Sequence, residues 1–269
     1  MCILYRVDLM HQGISVIVCT FNSQMYLKQT LDSLIPFSKN VAEIIIVDGQ
    51  STDSTFSIIN SHEINKIIKV LLLSSQPLGV AHAMNLGASR AKSEYIAFLN
   101  SDDYWNYTPQ VDDFFKEIFE AHKYDLYFFS CVYLQHGHEK IRSVRLSKRI
   151  DLDLFLRNRI FHPSTIIRNS YFIRIGGFDL SFPTAFDYDF WLRASKSAIV
   201  YTSPLALATF RVHDESLSFK FRGGAIREVL NIRIKNSSDF KYYALSIVLY
   251  FRDVLFLRLF EVKRFLIRD

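Results

Sequence analysis

Two short apolar runs that end in acids limit this chain more than any other feature. The first, Glu43-Ile-Ile-Ile-Val-Asp48, leads into Gly49, Gln50, Ser51, Thr52 and Asp53; the second, Glu94-Tyr-Ile-Ala-Phe-Leu-Asn100, leads into Ser101, Asp102 and Asp103. Each is too short for a helix and rich in β-branched or aromatic residues, the pattern of a strand buried on both faces. Strands of that kind belong to parallel sheets, and in an open parallel sheet the ligand lies beyond the carboxyl ends. Acids and hydroxyls gathered at two such ends suit a nucleotide and its metal.

Around these runs the chain alternates. Residues 14–19, 43–47, 69–73 and 95–99 read as strands, and 24–34, 54–61 and 80–90 as the helices between them. Leu27, Leu31 and Leu34, and again Ala81, Met84 and Ala88, recur at helical spacing and give those helices an inward face. Regular alternation of strand and helix predicts an α/β fold with a doubly wound, mostly parallel sheet. Beyond Asp103 the alternation stops. Pro109 opens a helix to about residue 122, and 125–133 with 141–145 reads as a pair of strands around Gly137. From about Gly224 the pattern is helical again, with Leu255, Leu259, Val262 and Leu266 on one side and Arg258, Glu261, Arg264 and Arg268 mostly opposite. The expected organisation is one domain over 1–222, made of a nucleotide-binding half (14–103) and a second half (104–222), followed by an amphipathic helical tail over 223–269.

A chain of 269 residues can bury an ample core without staples. Its three cysteines, Cys2, Cys19 and Cys131, are far apart and lack metal-ligand spacing with histidine, which suits a reducing compartment. Residues 1–13 contain Arg6, Asp8 and His11 and so lack the apolar core of a secretion signal. A cytoplasmic location is expected. The apolar run 242–251 is cut short by Arg252 and Asp253, well below the roughly 20 residues that span a bilayer. A basic amphipathic helix can instead rest on an anionic leaflet, here the inner face of the cell membrane, or pack on its own domain or a second subunit. The net charge of +5 fits a phosphate-bearing substrate or an anionic membrane surface. Basic residues thicken over 142–149 and after Lys220 without a patch of stacking aromatics, so nucleic acid is not an expected partner.

Taken in order, the segments resemble the inverting glycosyltransferases of family 2, which have the GT-A fold. The resemblance runs from Ser15 to about Ser218. Ser15-Val-Ile-Val-Cys-Thr20-Phe-Asn22 is similar to the family's first strand and turn, and Ile46-Val-Asp48-Gly-Gln-Ser-Thr-Asp53 to its second. The stretch from Gly79 through Asn85, followed by Asn100-Ser-Asp102-Asp103, resembles the helix and strand that lead into the family's Asp-x-Asp metal motif. Gly177-Phe-Asp179 and Asp187-Tyr-Asp189-Phe-Trp191-Leu-Arg193 look like its acceptor-side segment. The resemblance implies transfer of a sugar from a nucleotide-sugar donor to a hydroxyl of a glycan or lipid-linked glycan acceptor, assisted by Mg²⁺ or Mn²⁺, in bacterial surface polysaccharide biosynthesis.

It also implies roles for single residues. Asp48 would accept hydrogen bonds from the donor's base, with Thr20 and Phe21 under base and ribose. Asp102 would hold the metal, Asp103 being its alternative if the alignment slips by one, and His213 would add a metal ligand. Arg211 would pair with phosphate oxygens, His162 would lie near the acceptor, and Asp187 would take the proton of the attacking hydroxyl. Three departures remove acids from the family pattern: Asn100 replaces its first Asp and keeps only hydrogen bonding, Gly49 replaces a second acid, and Phe186 replaces the Glu before Asp187. Structural roles stand beside these: a buried strand end for Thr20, an Asx-type turn for Asp102 and Asp103, and a helix cap for Asp53. Asp189, Trp191 and Arg193 read as structural, the last two as a packing anchor and an ion-pair partner. A Rossmann-type oxidoreductase is a poor reading, because Cys19-Thr-Phe-Asn-Ser and not a glycine-rich turn follows the first strand. A nucleotide-sugar-binding module without catalysis stays open on account of the three missing acids.

Overall fold

The computed structural model describes residues 11–213, 222–237 and 239–266. Strand β1 (His11–Thr20) lies between β2 (Val41–Asp48) and β4 (Ser93–Asn100), and β3 (Lys69–Ser74) lies beyond β2; all three pairings are parallel. Helices α1 (Leu27–Leu34), α2 (Thr55–Ser61) and α3 (Val80–Ala88) form the crossovers. Strand alternation sends Val16, Val18, Ile44 and Ile46 to one face, where they share a core with Leu27, Leu31 and Leu34 of α1 and Ile59 of α2. Ile17 and Val47 have the opposite parity and meet α3. Helices therefore cover both faces, and this part of the sheet is doubly wound.

Gly87 shows how closely α3 sits on that second face. A Cβ there would lie 2.5 Å from Ile17 Cγ2 and 3.2 Å from Val47 Cγ2. Alanine gains about 1 kcal/mol of helix propensity over glycine, but forcing extra volume into a packed layer costs typically about 1–3 kcal/mol. The clash is with a branched methyl on a central strand, which has nowhere to go. Net of the propensity gain, Gly87→Ala is expected to lower the unfolding free energy by up to about 2 kcal/mol in urea; a raised midpoint would mean that α3 lifts freely from the sheet.

Helix α1 starts at Leu27, later than the hydrophobic pattern alone suggests. Gln24 accepts from Ser54 N through Oε1 and donates its own N–H to Asp53, both at 3.1 Å, while Ser23 N donates to Thr55 Oγ1 at 2.7 Å. Bonds to the β2–α2 loop thus replace what would have been the first helical turn.

The rest of the chain supplies β5 (Tyr104–Trp105), α4 (Pro109–Ala121), β6 (Leu126–Gln135), β7 (His138–Arg142), α5 (Ile150–Leu156), β8 (Thr165–Arg168), α6 (Asn169–Arg174), α7 (Phe186–Ala194), β9 (Val200–Val212), α8 (Arg222–Lys235) and α9 (Phe240–Leu266). Among the described residues the strands form one sheet in the order β3-β2-β1-β4-β8-β6-β9-β5, with β7 paired to β6. Here β4–β8, β6–β8, β6–β7 and β5–β9 are antiparallel, so the sheet is mixed and its parallel part is β1 to β4. The strand pair around Gly137 is present: His136 and Gly137 both have positive φ, 49° and 77°, between Gln135 and its partner His138. Two left-handed residues in a two-residue loop match the twist of a hairpin.

The chain divides into two compact units. The first holds the sheet with Met1–Arg145, Ile160–Gly177 and Ala198–Arg211; in the second, Leu146–Arg159 and Phe178–Ser197 cluster with the stretch Val212–Asp269 that carries the helical tail. Within the second unit Phe190 and Trp191 are fully buried, and Tyr188 OH donates to Leu154 O at 2.9 Å. Arg233, 2% exposed, donates through Nε to Phe155 O and through Nη1 to Asp253 Oδ2, each within 3.1 Å. A buried guanidinium satisfied in this way joins α5, α8 and α9. The expected tail positions Leu259, Val262, Leu266, Glu261, Arg264 and Arg268 have side chains outside the described residues, as does the whole of 214–221. Among the described helices none is long and apolar enough to cross a membrane.

Candidate active site

Parallel register brings the strand ends level. Thr20 is paired with Asp48, Asp48 with Ser74, and Cys19 with Asn100. Thr20 Oγ1 donates to Asp48 Oδ1 at 2.7 Å, Ser51 Oγ donates to the same oxygen at 2.6 Å, and Ser51 N donates to Oδ2 at 2.9 Å. Asp48 is buried, and an ionised acid survives there only with donors around it. A carboxylate has about four acceptor positions, so three protein donors leave room for about one more N–H. Gly49 N returns to Thr20 O at 2.8 Å and Gln50 takes φ +64°, which turns the chain back over β1. The ring of Phe21 stands 58% exposed beside Gly49, where a Cβ would come within 3.2 Å of Cδ2. Asp53 accepts from Thr55 N and Gln24 N, tying the start of α2 to the turn after β1, while the N-cap position of α2 falls to Ser54.

The turn after β4 is held from three directions. Asp103 N donates to Asn100 O at 3.1 Å and Asn100 Nδ2 donates to Asp103 Oδ2 at 2.9 Å. Thr30 Oγ1 bridges Ser101 O and Asp103 O, and Ser23 Oγ meets Ser101 Oγ at 2.8 Å. From β9, Arg211 N donates to Asp103 Oδ1 and Arg211 Nε to Asp102 O, both at 2.9 Å. The Arg211 guanidinium reaches Gln29 Oε1 at 2.6 Å and lies 4.2 Å over the Tyr26 ring. This geometry separates the two acids. Asp103 is fully buried with both oxygens accepting from the protein, and burial together with the Asp102 charge pushes its carboxyl well above the usual range, against the pull of Arg211 and Asn100. Asp102 is half-buried. Arg211 binds the turn and the start of α1, so its observed partners are protein groups.

Asp187 and His213 belong to the second unit. Asp187 opens α7, half-buried, and accepts from Tyr188 N at 2.7 Å; burial raises its pKa to about 6 against that bond. Asp189 is fully buried and accepts from Arg193 Nε at 2.7 Å, the structural ion pair that the sequence suggests. Glu228 Oε2 accepts from Thr184 N and Ala185 N, which anchors the start of α7. Phe186, where the family pattern has Glu, is buried edge-on against Phe178. His213 is half-buried just after β9. His162, in the first unit, stacks on Phe98 at 5.6 Å, and burial holds its pKa down to about 4, so it is neutral at physiological pH.

Among the described residues no three His, Cys, Asp or Glu side chains group as a metal cage. One half-buried carboxylate, Asp102, fits a cation that keeps its waters and takes most ligands from phosphate, as Mg²⁺ does. Sequence reading gave no part to Ser51, Thr30, Gln29 or Ser101. Only Ser51 left a local signal, a hydroxyl placed three residues after an acid; the others act through contacts distant in the chain.

A parallel sheet with a donor-bonded acid and an acid-bearing turn on its carboxyl edge, continued by antiparallel strands, is the architecture of the GT-A fold. The family model described as Glycosyl transferase family 2 matches residues 15–178, and the chain belongs to that family. The chain is 30% identical over 208 residues to the UDP-Glc:α-D-GlcNAc-diphosphoundecaprenol β-1,3-glucosyltransferase WfaP of Escherichia coli, covering 76% of this chain and 79% of that one. It is 27% identical over 210 residues to an uncharacterized glycosyltransferase of Rickettsia typhi, covering 75% of this chain and 64% of that relative's length. Crystalline residues 1–349 of TarS from Staphylococcus aureus, in complex with UDP-GlcNAc, superpose with a TM-score of 0.66 at 18% identity, over 90% of this chain and 71% of that one.

Proposed function

We propose that this family 2 glycosyltransferase moves a sugar from a nucleotide-sugar donor to a hydroxyl of a glycan or lipid-linked glycan, with inversion, in bacterial surface polysaccharide biosynthesis. The observation that carries the reading is the edge on which Thr20, Ser51 and Asp48 meet beside the Asn100–Asp103 turn. Asp48 offers its remaining acceptor position to an N–H of the base, and the exposed ring of Phe21 offers a face to base or ribose. Asp102 would hold Mg²⁺ or Mn²⁺, which would supply positive charge against the departing diphosphate. Asp187 takes the proton of the acceptor hydroxyl as its oxygen bonds to the anomeric carbon and the bond to the diphosphate breaks. With a pKa of about 6 it is largely ionised at neutral pH yet more basic than an ordinary aspartate. WfaP is a UDP-Glc-dependent glucosyltransferase by name and TarS crystallises with UDP-GlcNAc, which makes uridine diphosphate sugars the first donors to test.

A second reading, a binding module that has lost catalysis, draws on Asn100, Gly49 and Phe186. Release of nucleotide diphosphate from a panel of sugar nucleotides, with Mn²⁺ and with chelator, separates the two. Metal-dependent release that rises with a lipid-diphosphate glycan acceptor is the expected result. Binding of a donor without turnover under any of these conditions would favour the module.

A further inference from the structure

Helix α9 presents an apolar stripe to solvent. Phe240, Tyr243, Val248, Phe251 and Leu255 are 83%, 42%, 63%, 65% and 60% exposed. Their spacing places them on one side of the helix, opposite the buried Ser246 and Leu249. By typical side-chain areas they leave about 500 Å² of apolar surface open, at the upper end of what a soluble monomer shows without a use for it.

The charges around the stripe select its occupant. Lys241 and Arg258, both exposed, lie at its two ends. From Phe240 to Asp269 the sequence has six Lys or Arg against three Asp or Glu, and of those acids Asp253 is already bonded to the buried Arg233. Two copies joined stripe to stripe in antiparallel fashion would set Lys241 of each against Arg258 of the other. An anionic lipid surface accepts both features at once, the apolar side chains entering below the headgroups and the long basic side chains reaching lipid phosphates. We propose that α9 lies flat in the interface of a bilayer containing anionic lipid, with this stripe turned inward, and holds the protein at the membrane surface. Its docking does not depend on the donor, the metal or the base.

Sedimentation of the full chain with vesicles of phosphatidylcholine, and of phosphatidylcholine mixed with phosphatidylglycerol, tests this. Binding to the mixed vesicles is expected, at least about tenfold tighter than to phosphatidylcholine alone, since each basic residue near an anionic surface adds to the attraction. Phe251→Glu with Leu255→Glu should abolish it. Lys241→Glu with Arg258→Glu should weaken it by at least about tenfold, both variants keeping the wild-type circular dichroism spectrum. Wild type left in the supernatant with the mixed vesicles would overturn the proposal, as would binding that survives Phe251→Glu with Leu255→Glu. A wild-type dimer in light scattering that the same pair of substitutions turns into monomer would also overturn it, by making a second copy the occupant.

Discussion

Replacing Asp187 with Asn is expected to lower turnover by about 10²–10⁴-fold, the usual worth of a positioned base, and at the same time to make the protein more stable at pH 8. Both effects come from one carboxyl. Burial raises its pKa from 3.8 to about 6 in spite of the Tyr188 N–H that favours its charge. The native state thus binds this proton more tightly than the unfolded chain does. The stability so gained is complete below the unfolded value and is lost as pH rises through about 6. At pH 8 the wild type carries a charge that its surroundings disfavour, by up to about 3 kcal/mol. Asn removes the charge and keeps an oxygen for Tyr188 N. The melting temperature of Asp187→Asn should therefore exceed that of wild type at pH 8 and match it near pH 4. The same titration gives the wild-type kcat/KM an acid limb near pH 6, because a protonated Asp187 accepts nothing. Full activity in the variant would remove Asp187 from the reaction, and lost activity with lower stability at pH 8 would trace the loss to folding.

The proposed choice of Asp187 over Asp189 as the base comes in the sequence from likeness to a family motif, and the ion pair on Asp189 adds a physical reason for it. Arg193 lies four residues after Asp189 on α7 and neutralises it, while Asp187 has no such neighbour one turn on. Strands β1, β2 and β4 were legible because burial on both faces writes continuous apolar runs, and Asp48 and Asn100 were legible because they end those runs. Strand β9 was not. It contains Pro204, and its pairing with β5 joins Thr209 to Tyr104 across a hundred residues. The separation of Asp102 from Asp103 depends on that strand, since Arg211 delivers the N–H that fixes Asp103 and the Nε–H that holds the carbonyl of Asp102. No local pattern encodes such a contact. The start of α1 was misread for a similar reason, its first turn having been taken up by a bond from Ser54 N to Gln24 and one from Ser23 N to Thr55 Oγ1.

Asp48 allows structure and binding to be pulled apart, because two substitutions there should differ in stability and agree in affinity. Asp48→Ala removes the acceptor from Thr20 Oγ1, from Ser51 Oγ and from Ser51 N. Thr20 is 4% exposed, so water cannot easily replace what is lost. Buried donors left unmade cost about 1–3 kcal/mol each; half-buried Ser51 recovers part of its share from water, so the sum stays at about 3–5 kcal/mol, a large share of the 5–15 kcal/mol typical of a folded domain. A fall of about 10 °C in melting temperature follows. In Asp48→Asn the amide can turn so that its oxygen meets Ser51 N and its NH₂ faces the two hydroxyls, which reorient to accept. That variant should melt close to wild type. Both variants, however, lose the charge that strengthens a hydrogen bond to the base, worth about 1.5–3 kcal/mol. UDP affinity measured by calorimetry should drop by about tenfold to a hundredfold in each. If Asp48→Asn instead binds UDP as tightly as wild type, the carboxylate serves only to tie the β2 end to β1, and the base must be read by another group on that edge.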